Sequence, residues 1–112
     1  MTMKEKVDNI LGGFFDRNKD YAVELYLRNA VINSSMGKIL ITSDRIYNAD
    51  DNKFKLEWNK DENYDVRYNE FSILYDEVMA CYEERDEYNQ QMVHVILKNG
   101  MTIYFECVGT KL

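Results

Sequence analysis

The sequence has few of the residues on which most catalytic and metal sites depend. It contains one histidine, His94, and two cysteines, Cys81 and Cys107. A single histidine excludes a histidine-rich metal site and a His–His acid–base pair, and two cysteines do not make a disulfide framework. We therefore expect both cysteines to be small buried hydrophobic residues in a reducing compartment.

Glycine and long apolar runs are also scarce. The five glycines are scattered, and Gly12-Gly13 is not followed by the Lys-Ser/Thr pair of a phosphate-binding loop. No apolar run approaches the ~18 residues of a membrane-spanning helix, and the N-terminus does not resemble a secretory signal. We expect no cofactor, no metal, no membrane partner and a cytoplasmic location.

The negative charge is concentrated in the middle of the chain. The net charge at pH 7 is −6, and residues 50–87 contain thirteen acidic and five basic residues. These residues carry −8, and the rest of the chain carries +2. Such a segment repels nucleic-acid phosphate and attracts basic surfaces, so we expect no direct binding to DNA or RNA.

The length of 112 residues predicts a single globular domain, residues 1–112, with its own core. An N-terminal helix is indicated by a capping box, in which Thr2 is followed three residues later by Glu5. Its apolar face has helical spacing and consists of Val7, Ile10, Leu11 and Phe14. Two adjacent glycines cost about 2 kcal/mol relative to alanine, so Gly12-Gly13 should stop or bend this helix.

Strands are predicted after the helix, because the apolar period changes to two at Tyr21. The segments are 21–31, 39–42, 45–47, 53–58, 92–98 and 101–107. Between the last two, Asn99-Gly100 predicts a two-residue type I′ turn, which would place His94 opposite Phe105. The core face of this hairpin would then contain Met92, His94, Ile96, Ile103, Phe105 and Cys107.

Residues 70–84 fit two structures. Read as a helix capped by Asn69, the segment has an apolar stripe made of Phe71, Leu74, Tyr75, Val78 and Tyr82. Read as strands, it alternates around a corner at Asp76-Glu77. The predicted class is α+β, with a short N-terminal helix on an antiparallel, partly barrel-like sheet of five to seven strands and a possible second helix at 70–84.

Three segments, 37–46, 71–78 and 93–100, carry a regular strand rhythm. Their sequences are Gly-Lys-Ile-Leu-Ile-Thr-Ser-Asp-Arg-Ile, Phe-Ser-Ile-Leu-Tyr-Asp-Glu-Val and Val-His-Val-Ile-Leu-Lys-Asn-Gly. This rhythm resembles that of pleckstrin-homology-like and GRAM-like β domains. The resemblance implies a seven-stranded, half-open barrel and an adaptor function, although the acidic middle of the chain disfavours phosphoinositide binding.

Two further candidate sites each depend on two or three polar residues. A pocket near His94 and Cys107 would make the protein a small-ligand binder or an enzyme, whereas a lone histidine on an apolar face is more often structural. Asp61, Asn63 and Asp65 have the first spacings of a calcium loop, but the glycine and the final glutamate that such a loop needs are missing.

Tyrosines alternate with carboxylates in the acidic segment, which is the composition of a docking surface for arginine and lysine. The predicted partner-binding residues are Asp65, Tyr68, Glu70, Tyr75, Asp76, Glu77, Tyr82, Glu83, Glu84, Asp86 and Glu87. The leading hypothesis is a small acidic, non-enzymatic inhibitor that imitates nucleic acid. It would occupy a basic surface of a larger nucleic-acid-processing enzyme, such as a nuclease, as phage anti-CRISPR proteins and toxin-immunity proteins do.

Overall fold

The computed structural model describes residues 1–29, 34–59 and 68–112, with only the backbone described at 34–36, 59 and 68. Within these residues, one helix precedes eight strands. They are α1 (Met3–Arg17), β1 (Tyr21–Asn29), β2 (Ser34–Ile41), β3 (Arg45–Ala49), β4 (Lys53–Asn59), β5 (Tyr68–Leu74), β6 (Val78–Arg85), β7 (Gln91–Leu97) and β8 (Met101–Lys111). A single 3₁₀ turn, Tyr75–Glu77, joins β5 to β6.

The strands form two antiparallel sheets. One has five strands in the order β2-β1-β8-β7-β6, and the other has three in the order β3-β4-β5. The predicted α+β class, with an N-terminal helix packed on antiparallel strands, is confirmed. In the described part of the chain, no helix is both long enough and apolar enough to cross a bilayer.

Helix α1 begins as predicted and ends later than predicted. Thr2 caps it, because its Oγ1 accepts a hydrogen bond from the Glu5 backbone N–H at 3.1 Å. The helix continues through Gly12-Gly13 to Arg17, so the prediction that the glycines stop it is wrong. Leu11, Phe14 and Phe15 are buried on either side of the pair, and this tertiary packing outweighs the cost of two glycines.

Phe15 joins α1 to both sheets. Its ring lies 6.2 Å from the ring of Phe54 on β4 and 5.8 Å from the ring of Phe105 on β8. Phe14, one residue earlier, also contacts Phe105, at 6.4 Å. The helix, the five-stranded sheet and the three-stranded sheet therefore share one hydrophobic core.

The helical interpretation of residues 70–84 is wrong, and the alternative of two strands with a corner is correct. β5 pairs with β4, and β6 pairs with β7. The strands bury Ile73 and Cys81, whereas Leu74 and Tyr82 of the presumed helical stripe are 52% and 41% exposed. The stripe thus coincides only in part with the surface that the fold buries, since Tyr75 and Val78 are its buried members.

The predicted register of the β7–β8 hairpin is wrong by one residue. Residues 98–100 form a three-residue loop, with Gly100 N–H donating to Leu97 O at 3.1 Å and Gly100 at φ 90°. Asn-Gly suits this loop as well as a two-residue turn, because its last position needs a left-handed residue. His94 therefore pairs with Tyr104 rather than with Phe105.

The shift of register exchanges the two faces of β7. Val93 and Val95 are completely buried in the core, while Met92, His94 and Ile96 lie on the opposite face. The assignment of Ile103 and Phe105 on β8 to the core is correct. Val93 and Val95 therefore fill the core without burying the polar imidazole of His94 there, which would cost free energy.

We predict that Gly12→Ala stabilises the protein. An added Cβ at Gly12 would lie 3.5 Å from the ring of Tyr47, an ordinary contact, so the variant should gain about 1 kcal/mol of helix propensity in its free energy of unfolding. Gly13→Ala should gain less, because its Cβ would lie 3.0 Å from Nη1 of Arg17. Urea denaturation followed by circular dichroism measures both. Destabilisation by Gly12→Ala would show that the contact with Tyr47 requires glycine.

Candidate functional site

The five-stranded sheet has one face in the core and one face away from it, and we call the second the outer face. The residues that point into the core are almost fully buried and include Val23, Leu25, Val93, Val95 and Phe105. Because side chains alternate along a strand, their neighbours belong to the outer face. The cross-strand register then fixes which of these neighbours stand side by side.

Four aromatic side chains cross the outer face in a line, one on each of β1, β8, β7 and β6. They are Tyr26, Tyr104, His94 and Tyr82, and each is the cross-strand partner of the next. Ring centroids are 4.8 Å apart for Tyr26–Tyr104, 4.6 Å for Tyr104–His94 and 4.7 Å for His94–Tyr82. We call this line the aromatic row.

A second line of side chains lies beside the aromatic row, each two positions from the aromatic residue of its strand. We call it the line of carboxylates, because three of its four members are glutamates. Glu24 on β1 is directly opposite Glu106 on β8, and Glu84 on β6 follows after Met92 on β7. Only 14% of the Glu24 side chain is exposed, and its Oε1 lies 3.0 Å from Lys38 Nζ. Burial raises the pKa of Glu106, and the nearby charges of Glu24 and Asp86 raise it further.

His94 is the most buried member of the aromatic row, with 8% of the residue exposed. Its Nε2 lies 2.9 Å from Glu84 Oε2 but makes no well-aligned hydrogen bond. Burial lowers the pKa of His94 more than the attraction of Glu84 raises it. The imidazole is therefore favoured in its neutral form, as a packed aromatic ring between Tyr82 and Tyr104.

The exposed end of β6 and the turn that follows it form an acidic edge of the sheet, which we call the β6 rim. It consists of Tyr82, Glu84, Asp86, Glu87 and Tyr88. Tyr88 is 81% exposed and Tyr82 is 41% exposed. Asp86 Oδ1 fixes the turn by accepting hydrogen bonds from the backbone N–H groups of Tyr88 and Gln90, both at 2.9 Å.

The structure brings together only part of the predicted partner-binding set. Tyr82, Glu83, Glu84, Asp86 and Glu87 lie at the C-terminal end of β6 and in the turn after it. Glu83 points toward α1, where its Oε1 lies 3.1 Å from Arg17 Nη2. The other four residues of this group belong to the β6 rim.

The remaining predicted residues are elsewhere. Asp76 and Glu77 are at the opposite end of β6, roughly 23 Å away along an eight-residue strand. Glu70 is on β5 in the three-stranded sheet, with its Oε1 3.9 Å from Lys55 Nζ. Tyr75 is 5% exposed and donates its hydroxyl to Asp8 Oδ1, so its ring belongs to the core.

Residues 60–67 lie outside the described residues, and with them the predicted site residue Asp65 and the calcium-like spacing of Asp61, Asn63 and Asp65. The backbone of Tyr68 is part of β5, but its side chain is likewise not described. Among the residues that the structure does describe, there is no group of three or more histidine, cysteine or acidic side chains that could hold a metal ion.

The structure does not bring His94 and Cys107 together. His94 is on the outer face, whereas Cys107 pairs with the core residue Val23 and shares the inner face of β8 with Phe105. A pocket that contains both side chains is therefore incompatible with this register. Burial also raises the pKa of Cys81 to about 11, so that thiol is protonated and unreactive at neutral pH.

Sequence reasoning missed Glu24, Tyr26, Tyr104 and Glu106. A signal for them exists, because β1 reads Glu-x-Tyr and β8 reads Tyr-x-Glu. In antiparallel strands these two patterns place tyrosine beside tyrosine and glutamate beside glutamate. The signal becomes visible only when β1 and β8 are known to be neighbours.

Comparison of the chain with known protein families, curated proteins and solved structures found no match. The resemblance to pleckstrin-homology-like domains therefore gains no support, and the site has to be interpreted from its own geometry.

We predict that acid destabilises the protein through His94. The pKa of His94 is lowered in the folded chain from its ordinary value of 6.5. The folded state therefore takes up a proton less readily than the unfolded state, so stability should fall as the pH decreases through 6.5 toward the lowered pKa. NMR titration of the single histidine measures its pKa, and His94→Gln should reduce the dependence. An unchanged dependence in this variant would assign it to the carboxylates.

We predict that Glu106→Gln stabilises the protein at neutral pH. The variant removes one of two facing carboxylates, a change worth about 0.5 kcal/mol in the free energy of unfolding. Because the pKa of Glu106 is raised above 4.5, the folded chain loses stability as this carboxyl ionises, so the gain should shrink as the pH falls through the raised pKa and should be lost below pH 4.5. Exposed Glu87→Gln is the control. An equal gain from both variants would indicate a general charge effect.

Proposed function

We propose that this chain is a non-enzymatic binding protein that docks on a basic surface of a larger, nucleic-acid-processing enzyme in the cytoplasm and competes there with nucleic acid. The observation that carries the proposal is the β6 rim, where three carboxylates and two exposed tyrosines are collected at one edge of a sheet. Nothing in this arrangement depends on a cofactor or a metal.

The two residue types in the rim have complementary roles in docking. Exposed carboxylates attract arginine and lysine, which raises the association rate and selects against acidic partners. Tyr82 and Tyr88 supply apolar area with a polar tip, and tyrosine is enriched at the centres of protein interfaces. A rim of this composition suits a basic protein surface better than a small ligand.

The rim alone is too small for a stable interface, so the proposed docking surface includes the adjoining outer face. A stable complex buries about 800 Å² on each partner. Five strands about 4.8 Å apart and seven residues long give a face on the order of 500 Å². Tyr82 and Glu84 belong to both the rim and the outer face, so the two surfaces are continuous.

Competition with nucleic acid follows from the sign of the charge. A basic surface that binds Glu84, Asp86 and Glu87 is suited to phosphate as well, because both are anions with several acceptor oxygens. The acidic protein itself is repelled by nucleic acid. Binding of the protein and of nucleic acid to the same surface is then mutually exclusive, which is the basis for proposing an inhibitor.

We predict that neutralising the rim weakens binding, whereas the same charge change elsewhere does not. Glu84→Gln/Glu87→Gln and the control Glu70→Gln/Glu77→Gln both change the net charge from −6 to −4. A basic protein captured by the tagged chain should bind the rim variant about tenfold more weakly and the control nearly as well as wild type. Affinity is measured by calorimetry at low and high salt, with nucleic acid as competitor.

Three outcomes would contradict the proposal. The first is a captured partner that is not basic, and the second is an affinity that is unchanged between low and high salt. The third is an equal loss in the rim variant and in the control, since that would show that only total charge matters. Failure of nucleic acid to displace the chain would overturn the inhibitory role while leaving the docking surface intact.

A further inference from the structure

A shallow cavity lies on the outer face at the side away from the β6 rim. Its volume is about 220 Å³, and it is lined by Glu24, Tyr26, Lys38 and Glu106. β8 and β7 separate β1 from β6, so the cavity is roughly 14 Å from the rim across the sheet. It belongs to the same face as the rim but is a separate feature.

The cavity has one more negative charge than positive charge. Glu24 and Glu106 are direct cross-strand partners, and like charges in that position repel. Lys38 Nζ lies 3.0 Å from Glu24 Oε1, whereas no lysine or arginine in the described residues forms an ion pair with Glu106. The cavity thus already contains one cationic side chain, that of Lys38, and Glu106 beside it has no ion-pair partner among the described residues.

The cation that is present can leave. Lys38 is on β2, the edge strand of the sheet, and 65% of its side chain is exposed, compared with 14% for the glutamate that it contacts. Because the lysine of this pair is exposed, its attraction to Glu24 is screened by solvent and contributes little stability. Lys38 therefore shows that the cavity accepts a cationic side chain, and its own ammonium group can be displaced by another.

The shape of the cavity favours a planar cation. One face of the Tyr26 ring is covered by the stacked ring of Tyr104, with an interplanar angle of 9°. Only the face on the side of Lys38, the cross-strand partner of Tyr26 on β2, is left for a ligand. A guanidinium can stack on a tyrosine face while it donates parallel hydrogen bonds to carboxylates. An ammonium group lacks the planar shape for both contacts at once.

We propose that this cavity receives an arginine side chain of the protein partner, with the guanidinium between Glu24 and Glu106 and against the Tyr26 ring. The proposal rests on the proposed function, because it supplies the second contact point of the same docking face. Lys38 competes with the incoming arginine for Glu24. Glu106 is the primary acceptor, since the ion pair of Lys38 is with Glu24 and not with Glu106.

The test uses a short peptide and needs no identified partner. The ¹⁵N-labelled chain is titrated at low salt with acetyl-Gly-Arg-Gly-amide, and in parallel with the same peptide carrying citrulline or lysine. Saturable shifts are expected at the amides of Glu24, Tyr26 and Glu106 with the arginine peptide. Citrulline has nearly the same shape without the charge and should cause no saturable shift. Lysine should bind more weakly than arginine.

Three single neutralisations distinguish the cavity from the rest of the face. Glu106→Gln should weaken arginine-peptide binding about threefold, and Lys38→Gln should strengthen it about threefold, because each alters one ion pair. Glu84→Gln removes a carboxylate from the same face outside the cavity and should leave the affinity unchanged. Glu106→Gln removes a repulsion, so it should not unfold the chain.

Equal binding of the citrulline or lysine peptide would overturn the proposal, as would equal weakening by Glu106→Gln and Glu84→Gln. Shifts confined to residues 82–88 would also overturn it, while leaving the β6 rim as the docking surface. Conversely, arginine binding in the cavity together with the absence of a salt-sensitive basic partner would contradict the proposed function and leave the cavity as an arginine site.

Discussion

The register between β7 and β8 determines the chemistry of the outer face. Leu97 and Met101 enclose a three-residue loop, and Gly100 supplies the left-handed residue that this loop needs. A loop shorter by one residue would turn Val93 and Val95 outward and His94 inward. The observed register instead seals the core with valines and aligns His94 with Tyr104 and Tyr82. The aromatic row depends on this choice of loop where it passes from Tyr104 to His94, and the pairing of β1 with β8 then adds Tyr26 and the facing glutamates.

Local sequence signals predicted the parts of the fold that depend on neighbouring residues. The Thr2 cap, the strand periodicity of β1 and β4 and the position of the β7–β8 hairpin follow from residues a few positions apart. The predictions failed where distant contacts decide. Packing of Phe14 and Phe15 carries α1 through two glycines, and pairing with β4 and β7 makes strands of residues whose spacing also suits a helix. The candidate site was predicted in part: the β6 rim is one continuous stretch, whereas Glu24 and Glu106 are 82 positions apart and become neighbours only through the pairing of β1 with β8.

The outer face departs from the rules that otherwise explain the structure. Facing glutamates destabilise a sheet, and a buried histidine nitrogen without an aligned hydrogen-bond partner is costly. The inner face of the same sheet is, by contrast, packed with buried apolar side chains. In stable folds, local violations of this kind concentrate at functional sites, where they are compensated by the rest of the molecule. Here the core shared by α1 and the two sheets around Phe15 provides stability that offsets these costs. Its contacts do not involve the outer face.

In the proposed function, the rim and the cavity would contribute to binding in different ways. Glu87 and Tyr88 are exposed at a turn, so the rim's attraction is screened by salt and acts mainly on the rate of association. Glu24 is largely buried beside a stacked tyrosine pair, and a contact there is screened less and acts mainly on dissociation. The aromatic row links the two regions and holds its rings by mutual stacking, so little side-chain freedom remains to be lost on binding. A face built in this way would attract many basic proteins through the rim. It would retain those whose arginine reaches the cavity on the other side of the sheet while the rim is also bound.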